Sequence, residues 1–191
     1  EVTRNDFIHV TGNHEIFGDY TIANRLFDIE NSRRYSVTYG NVYIAVIGYL
    51  DGEAEHKDAA EWLVSDAARS DARWKIVVTH QPPYGTNEAA TDCKYCMGRA
   101  TTCQAEIDFV FSGHDHALVR TEPLKGGEIA ESDKDGVIYY VCGSISKKTY
   151  GTTNNRGYHF AVDPTIDYDG VYLTVDATDS KFTVNVYSAD G

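Results

Sequence analysis

Short apolar runs, rich in β-branched and aromatic residues, recur along most of the chain. Runs of this kind bounded by Gly, Asn, Asp or Pro are typical of β-strands. The pattern predicts strands at residues 7–11, 34–39, 42–48, 75–79, 109–112, 137–142, 158–162, 171–176 and 182–187. The sequence Tyr39-Gly40-Asn41-Val42 predicts a tight hairpin between the second and the third of them.

One segment has a helical periodicity instead. Its apolar positions recur three and four residues apart, at Ala60, Leu63, Val64, Ala67 and Ala68. This spacing predicts an amphipathic helix at residues 58–69, and a weaker pattern predicts a second helix at 100–107. The first helix leads into the strand at 75–79, whereas the residues after 137 are nearly all strand. We therefore expect an α/β fold with a β-rich C-terminal third.

The composition is that of a globular protein, since 42% of the 191 residues are hydrophobic and 24% are charged. This length suits a single domain, which we expect to span residues 1–191. A net charge of −12 would repel a phosphate backbone, so we expect no nucleic-acid partner. No apolar run approaches the roughly 18 residues of a membrane helix, so we expect no membrane partner either.

Polar motifs directly follow three of the apolar runs. They are Gly12-Asn13-His14-Glu15, His80 and Gly113-His114-Asp115-His116. Strand ends of an α/β sheet converge at one edge, where such folds keep their chemistry. Neutral imidazoles together with an amide oxygen suit zinc, iron or manganese. The sequence therefore predicts a metal site at this edge of the sheet.

The other histidines differ in setting. His9, His56 and His159 follow no such pattern, and we expect structural or solvent-exposed roles for them. By contrast, His114 and His116 are two positions apart, which would place both rings on the same side of an extended stretch.

In this order, the three motifs resemble those of the calcineurin-like metallophosphoesterase superfamily, and are most similar to its purple acid phosphatase-like branch. Residues 80–84, with the sequence His-Gln-Pro-Pro-Tyr, resemble a His-x-Pro-x-Tyr stretch of that branch. Residues 113–121 resemble its Gly-His-x-His-Ala…Arg-Thr stretch. The resemblance runs from about residue 7 to residue 187 and implies a β-sandwich flanked by helices, in the layer order αββα.

The resemblance also implies a site with two metal ions. Asn13, His80 and His114 would bind one ion, and His116 would bind the other. The ions would be divalent or of mixed valence, drawn from iron, zinc and manganese. Two cations about 3.5–4 Å apart can neutralise a phosphate ester and activate water for attack on phosphorus. The implied function is therefore the hydrolysis of small phosphate monoesters.

Further roles follow from the same resemblance. His14 would hold the phosphate and protonate the leaving alkoxide. Glu15 would orient the loop or His14, while Tyr84 and Arg120 are candidates for the substrate cleft.

The sequence departs from the family pattern at its N-terminal side. The family has a first Asp motif and a Gly-Asp-x-x-Asp or Gly-Asp-x-x-Tyr motif before Gly-Asn-His, and neither occurs in these residues. The nearest string, Gly18-Asp19-Tyr20, comes after Asn13. We therefore expect a C-terminal portion that lacks the N-terminal strands and the bridging carboxylate. Residue 1, which is Glu, also indicates a cut or processed end.

Several consequences of that departure can be tested. The chain would hold at most one metal ion, and weakly, because its ligands are neutral. It would have little or no activity alone, and it would form a homodimer that covers the exposed sheet edge. The alternatives are a non-catalytic metal-binding or interaction fragment, and a phosphodiesterase that acts on nucleotides.

The four cysteines are compatible with an oxidising compartment, which favours a secreted, periplasmic or cell-surface location. Cys103 is expected to form a disulfide with Cys93 or Cys96, and a structural zinc site on the three thiols is the alternative. Cys142 lies in an apolar run and is expected to be a buried free thiol.

Overall fold

The computed structural model of the chain describes residues 7–15, 21–27, 33–86, 99–132, 134–146, 148, 152, 157–162 and 170–188. Its helices are α1 (Thr21–Phe27), α2 (Glu53–Ala67) and α3 (Arg99–Gln104). Its first strands are β1 (Arg34–Tyr39), β2 (Val42–Ile47), β3 (Trp74–Thr79), β4 (Phe109–Ser112), β5 (Leu118–Thr121) and β6 (Leu124–Lys125). The remaining strands are β7 (Glu128–Ile129), β8 (Ile138–Cys142), β9 (Phe160–Val162), β10 (Val171–Ala177) and β11 (Phe182–Ser188).

The main element is a seven-stranded sheet with the strand order β1-β2-β3-β4-β8-β5-β9. Its central strands β2, β3, β4 and β8 are parallel, whereas β1 pairs with β2 in the antiparallel direction. Parallel pairing brings the carboxyl ends of these four strands to one edge of the sheet, where open α/β sheets bind ligands. The register pairs Thr79 of β3 with Ser112 of β4, so the loops that follow these residues start side by side.

Helices α2 and α3 cover one face of the sheet. Ala59, Leu63 and Ala67 are buried and recur every four residues, so they form one stripe along α2. They belong to the same apolar cluster as Ile47 and Val77 of the sheet. Burial of this stripe holds the helix, because a helix of this length gains most of its stability from packing.

The opposite face of the sheet packs against a second, two-stranded sheet formed by β10 and β11. Phe182 of β11 stacks on Phe109 of β4, with ring centroids 4.3 Å apart. The described residues therefore form layers in the order helix, sheet, sheet. A cavity of about 860 Å³ separates part of β11 from the large sheet. None of the helices in the described ranges has the length and apolar character that crossing a membrane requires.

Most predicted elements are confirmed, including the hairpin of β1 and β2, in which Tyr39 pairs with Val42. The run at residues 7–11 is not a strand in the structure. There the amide of Tyr49 donates to the carbonyl of Thr11 over 2.8 Å, and the hydroxyl of Tyr35 bonds both the amide and the carbonyl of His9. The Tyr35 hydroxyl thus bonds the backbone amide and carbonyl of His9, which in a strand would pair with a neighbouring strand.

Other differences concern elements that the pattern missed or misplaced. Strand β5 and helix α1 were not predicted, and α2 begins at Glu53, five positions before the predicted start at residue 58. Gly52, with φ of 96°, precedes the helix. The start of α2 was missed because apolar spacing is the signal for a helix, and only Ala54 is apolar in the first turn.

Candidate functional site

Three of the predicted ligands meet at the carboxyl edge of the large sheet. His80 directly follows β3, and His114 is the second residue after β4. Asn13 belongs to the segment that precedes α1. The Nε2 atom of His80 lies 2.9 Å from Oδ1 of Asn13 and 3.0 Å from Nδ1 of His114. Residues 67 and 34 positions apart are thus in direct contact.

The loop that carries Asn13 is a tight turn closed by two hydrogen bonds between Gly12 and Glu15. The amide of Glu15 donates to the carbonyl of Gly12 over 3.3 Å, and the amide of Gly12 donates to Oε2 of Glu15 over 2.7 Å. A Cβ atom on Gly12 would lie 2.7 Å from that Oε2 and 2.8 Å from Cε1 of His80. A side chain at this position would displace Glu15 or His80, since real Cβ atoms do not approach so closely. Glu15 therefore closes the turn that carries Asn13.

Two further contacts place His80. Its ring meets Tyr49, the second residue after β2, edge to face with centroids 6.2 Å apart. The side-chain oxygen of Gln81 accepts a hydrogen bond from the amide of Leu50 over 3.1 Å. The loops after β2 and β3 are therefore tied together next to the imidazole.

The loop at residues 113–116 is not the extended stretch that the spacing predicted. His114 has φ of 70° and His116 has φ of 49°, in a region that L-residues other than Gly rarely adopt. His116 also makes a hydrogen bond to the backbone of Lys148. An extended stretch would have placed the two rings on one face by alternation, whereas here the turn sets each ring separately.

The electrostatics of the cluster come from burial and from neighbouring imidazoles. Burial, together with the charges of His114, His14 and His116, lowers the pKa of His80 to about 4. Burial and the charge of Lys148 also lower the pKa of His116, and the charge of Asp115 opposes this shift. At neutral pH the rings of His80 and His116 are therefore neutral, which is the form that binds metal ions.

The donor atoms suit one metal ion. With metal–nitrogen distances of roughly 2.1 Å, neighbouring ligands at right angles lie roughly 3.0 Å apart, close to the separations around His80. Within the described ranges, no three side chains of His, Cys, Asp or Glu form a metal-binding group. The third donor of this cluster is the amide of Asn13, and all three donors are neutral.

The predicted catalytic and cleft residues lie in different places. His14 is exposed and close enough to His80 for its charge to act on that ring. Tyr84 is only 2% exposed and packs edge to face on Tyr139 and Tyr158 in the helix-side core. Arg120 lines the cavity between the two sheets and bonds the hydroxyl of Tyr140.

The cysteines that the structure describes are thiols. Cys103 is free, with its Sγ 4.0 Å from the carbonyl oxygen of Leu124, rather than in the predicted disulfide. Cys93 and Cys96 lie outside the described residues. Cys142 is free, as expected, and burial raises its pKa to about 11.

Sequence reasoning missed four residues that build the site: Gly12, Tyr49, Gln81 and Asp115. Gly12 and Asp115 belong to the quoted motifs, and a glycine beside a ligand was a signal of close approach. Asp115 is 1% exposed. The position of Asp115 between two histidines was also a signal of a structural contact, since a buried carboxylate needs hydrogen-bond partners.

Comparisons with known proteins agree with this geometry. Residues 2–118 match the family described as calcineurin-like phosphoesterase. Purple acid phosphatase 22 of Arabidopsis thaliana is 33% identical over 153 residues, which cover 69% of this chain and 34% of that protein. Purple acid phosphatase 21 of the same plant is 28% identical over 152 residues, with the same coverage of 69% and 34%. The chain thus spans about a third of the length of these relatives.

A solved structure shows the same fold. It is that of a purple acid phosphatase from yellow lupin (Lupinus luteus) seeds, with a TM-score of 0.64 and 17% identity. The match covers 84% of this chain and 31% of that one. The fold expected from the motifs is therefore confirmed. With the family match extending over more than half of its residues, the chain belongs to the calcineurin-like phosphoesterase family.

Proposed function

We propose that the intact protein hydrolyses small phosphate monoesters with metal ions held at the carboxyl ends of β3 and β4. One observation carries this proposal: Asn13, His80 and His114 reach one point from three separate loops, with donor atoms 2.9 and 3.0 Å apart around His80. Family membership implies metal ions, and it supports phosphate esters as substrates.

In this proposal Asn13, His80 and His114 hold one metal ion, and His116 belongs to a second site. The metal ions, when bound, supply Lewis acidity and positive charge. Imidazole and amide donors suit iron, zinc or manganese. The described cluster contains only neutral donors, so an ion at this position is held weakly, and at most one is held by these residues alone.

The side chains around the cluster have separate tasks. His14 donates the proton that the leaving alkoxide needs, for which its exposure and its closeness to His80 suit it. Glu15 keeps Asn13 in place by closing the turn with Gly12. Tyr84 supports the loop after β3 from the core.

Further aspects of the sequence reasoning remain proposals. One is the homodimer that would cover an exposed sheet edge, and we propose that it forms at the two-stranded sheet of β10 and β11, on which Tyr172, Val175, Val186 and Tyr187 are exposed. The single domain over residues 1–191, the absence of nucleic-acid and membrane partners, and a secreted, periplasmic or cell-surface location stay predictions.

The test combines metal binding with hydrolysis. Manganese, zinc and ferrous ions are titrated into the chain, and hydrolysis of p-nitrophenyl phosphate is measured at saturation. We expect weak binding and slow turnover, both lost in His114→Ala. His159→Ala is the matched control, because His159 lies just before β9, where its Nε2 is 3.6 Å from Glu128. Turnover that survives His114→Ala unchanged would overturn the proposal.

A further inference from the structure

We propose that Asp115 is a positioning residue, whose buried carboxylate locks the loop with His114 and His116 onto the loop with His80. The proposal rests on the proposed function only for what the imidazoles bind. The way in which the imidazole rings are held does not depend on that function.

The carboxylate of Asp115 is buried and bonded to the neighbouring loop. Asp115 is 1% exposed and Thr86 is 0% exposed. The amide of Thr86 donates to Oδ2 of Asp115 over 2.6 Å. A buried carboxylate is costly unless it is hydrogen-bonded, and charge-assisted bonds to backbone amides are among the stronger ones. This contact therefore fixes the position of Asp115 relative to residues 80–86.

The backbone on both sides of Asp115 is strained. The amide of Asp115 donates to the carbonyl of Gly113 over 2.8 Å, which closes a γ-turn centred on His114 at φ of 70°. The γ-turn with positive φ is the rare and strained form. His116, at φ of 49°, is in the left-handed region as well. Such conformations persist only where their surroundings over-determine them.

Two hydrogen bonds hold residues 113–116 in this conformation, one near each end of the loop after β3. The amide of Gly113 donates to the carbonyl of His80 over 3.1 Å, and the amide of Thr86 donates to Asp115. The first bond joins backbones and is open to any sequence. The second requires an acceptor side chain of the length of Asp at this position, so it is the part that the sequence encodes.

Gly85 is fitted to the same contact. A Cβ atom on Gly85 would lie 2.7 Å from Oδ2 of Asp115 and 3.4 Å from Cγ of Pro82. The first distance is too short for any side chain, so the carboxylate can dock only against a glycine. Gly85→Ala would therefore displace the carboxylate without removing it. It offers a second way to break the contact between Asp115 and the Thr86 amide.

The experiment observes the imidazole rings directly in the metal-free chain. Long-range proton–nitrogen NMR spectra of chain labelled at histidine with nitrogen-15 are recorded for the parent, Asp115→Ala, Asp115→Asn and Gly85→Ala. The matched control is Asp135→Asn, since Asp135 is exposed and bonds the hydroxyl of Ser132. The ring signals of His159 serve as an internal reference. Cobalt(II) is then titrated into each protein, with its visible spectrum as the readout.

We expect Asp115→Ala and Gly85→Ala to shift the ring signals of His114 and His116 and leave those of His159 in place. Asp115→Asn retains an oxygen acceptor for the Thr86 amide, so its shifts should be smaller. The cobalt affinity should fall about 10- to 100-fold in Asp115→Ala and Gly85→Ala, the usual loss when an outer partner of a metal ligand is removed. Asp135→Asn should change neither readout.

The two proposals fail in different ways. Unshifted His114 and His116 signals in both Asp115→Asn and Gly85→Ala would overturn the positioning role. Shifted signals in a chain whose parent form binds no cobalt would support the positioning role and count against the metal site. If Asp115→Ala does not fold, the other two variants decide the outcome.

Discussion

The imidazole of His80 meets that of His114 edge to face, with ring centroids 4.9 Å apart and an angle of 75° between the planes. This contact follows from strand register, because the last residues of β3 and β4, Thr79 and Ser112, are direct partners. His80 is one position beyond the first of them, and His114 is two positions beyond the second. Parallel pairing thus aligns two candidate ligands that are distant in sequence.

His80 contacts both Asn13 and His114, so its replacement should weaken metal binding strongly. In His80→Ala the affinity for manganese should fall at least about tenfold, since even loss of an outer-shell partner typically costs that much. Isothermal titration calorimetry measures the change, and His159→Ala should bind like the parent chain. Equal affinities in His80→Ala and the parent would mean that the ion binds elsewhere.

The absence of a side chain at Gly12 makes a second prediction. In Gly12→Ala the new Cβ would lie 2.7 Å from Oε2 of Glu15 and 2.8 Å from the ring of His80, so one of them must move. We expect weaker metal binding and slower hydrolysis. Gly113→Ala is the comparison, because its Cβ would lie 3.9 Å from His80, an ordinary contact. A larger loss in Gly113→Ala than in Gly12→Ala would contradict this account.

The lowered pKa of His80 predicts how stability depends on pH in the metal-free chain. His80 is protonated only below about pH 4 in the fold, against an ordinary pKa of 6.5. Between these values the unfolded chain binds more protons, so the free energy of unfolding falls as the pH drops from about 6.5 toward 4. Burial lowers the pKa of His56 and His116, which adds in the same direction.

Urea unfolding at pH 7 and pH 4.5 measures this effect. His80→Asn should lose less stability between the two pH values than the parent, because one of the groups that charge only on unfolding is gone. The account of His80 fails if both proteins lose the same free energy.

The burial of Tyr84 predicts a stability effect. Its ring packs on Tyr139 and Tyr158 at centroid distances of 4.7 and 5.1 Å. Tyr84→Ala should lower the free energy of unfolding by about 3–5 kcal/mol, as aromatic truncations in cores do. Urea denaturation checks this value. A Tyr84→Ala loss below about 1 kcal/mol would favour the cleft role instead.

The exposed hairpin predicts self-association. Tyr172 and Tyr187 stack across β10 and β11 at 5.1 Å, and they are 48% and 44% exposed. We expect concentration-dependent dimers in sedimentation velocity, weakened by Tyr187→Glu. Tyr39→Glu is the control, because Tyr39 is 82% exposed at the end of β1 and gains the same charge. A monomer at all concentrations would refute the dimer.

The proximity of the candidate ligands could be predicted because apolar runs end where the polar motifs begin, as at His80 and His114. Arg120 could not be placed in this way. Its side of the sheet depends on where β5 begins, and the sequence pattern did not reveal that strand. In the structure Arg120 pairs with Tyr140, whose ring faces β10 and β11, so alternation directs the guanidinium away from the cluster.

The conformation of residues 113–116 also could not be predicted from the sequence pattern. An alternating His-Asp-His is compatible with a strand, and nothing in its spacing indicates positive φ. The turn depends on the buried contact of Asp115 with Thr86, residues 29 positions apart. Long-range contacts of this kind override local propensity, and a single sequence does not show them.

The segment that carries Asn13 lies outside the strands of the sheet. Its hydrogen bonds include those of the Tyr35 hydroxyl to His9, the backbone bond from Tyr49 to Thr11 and the contact of Asn13 with His80. A metal ion bound by Asn13, His80 and His114 would add a link from this segment to the loops after β3 and β4, and a ligand that binds only the closed form stabilises that form. Deuterium uptake over residues 7–15 should therefore slow when manganese is added.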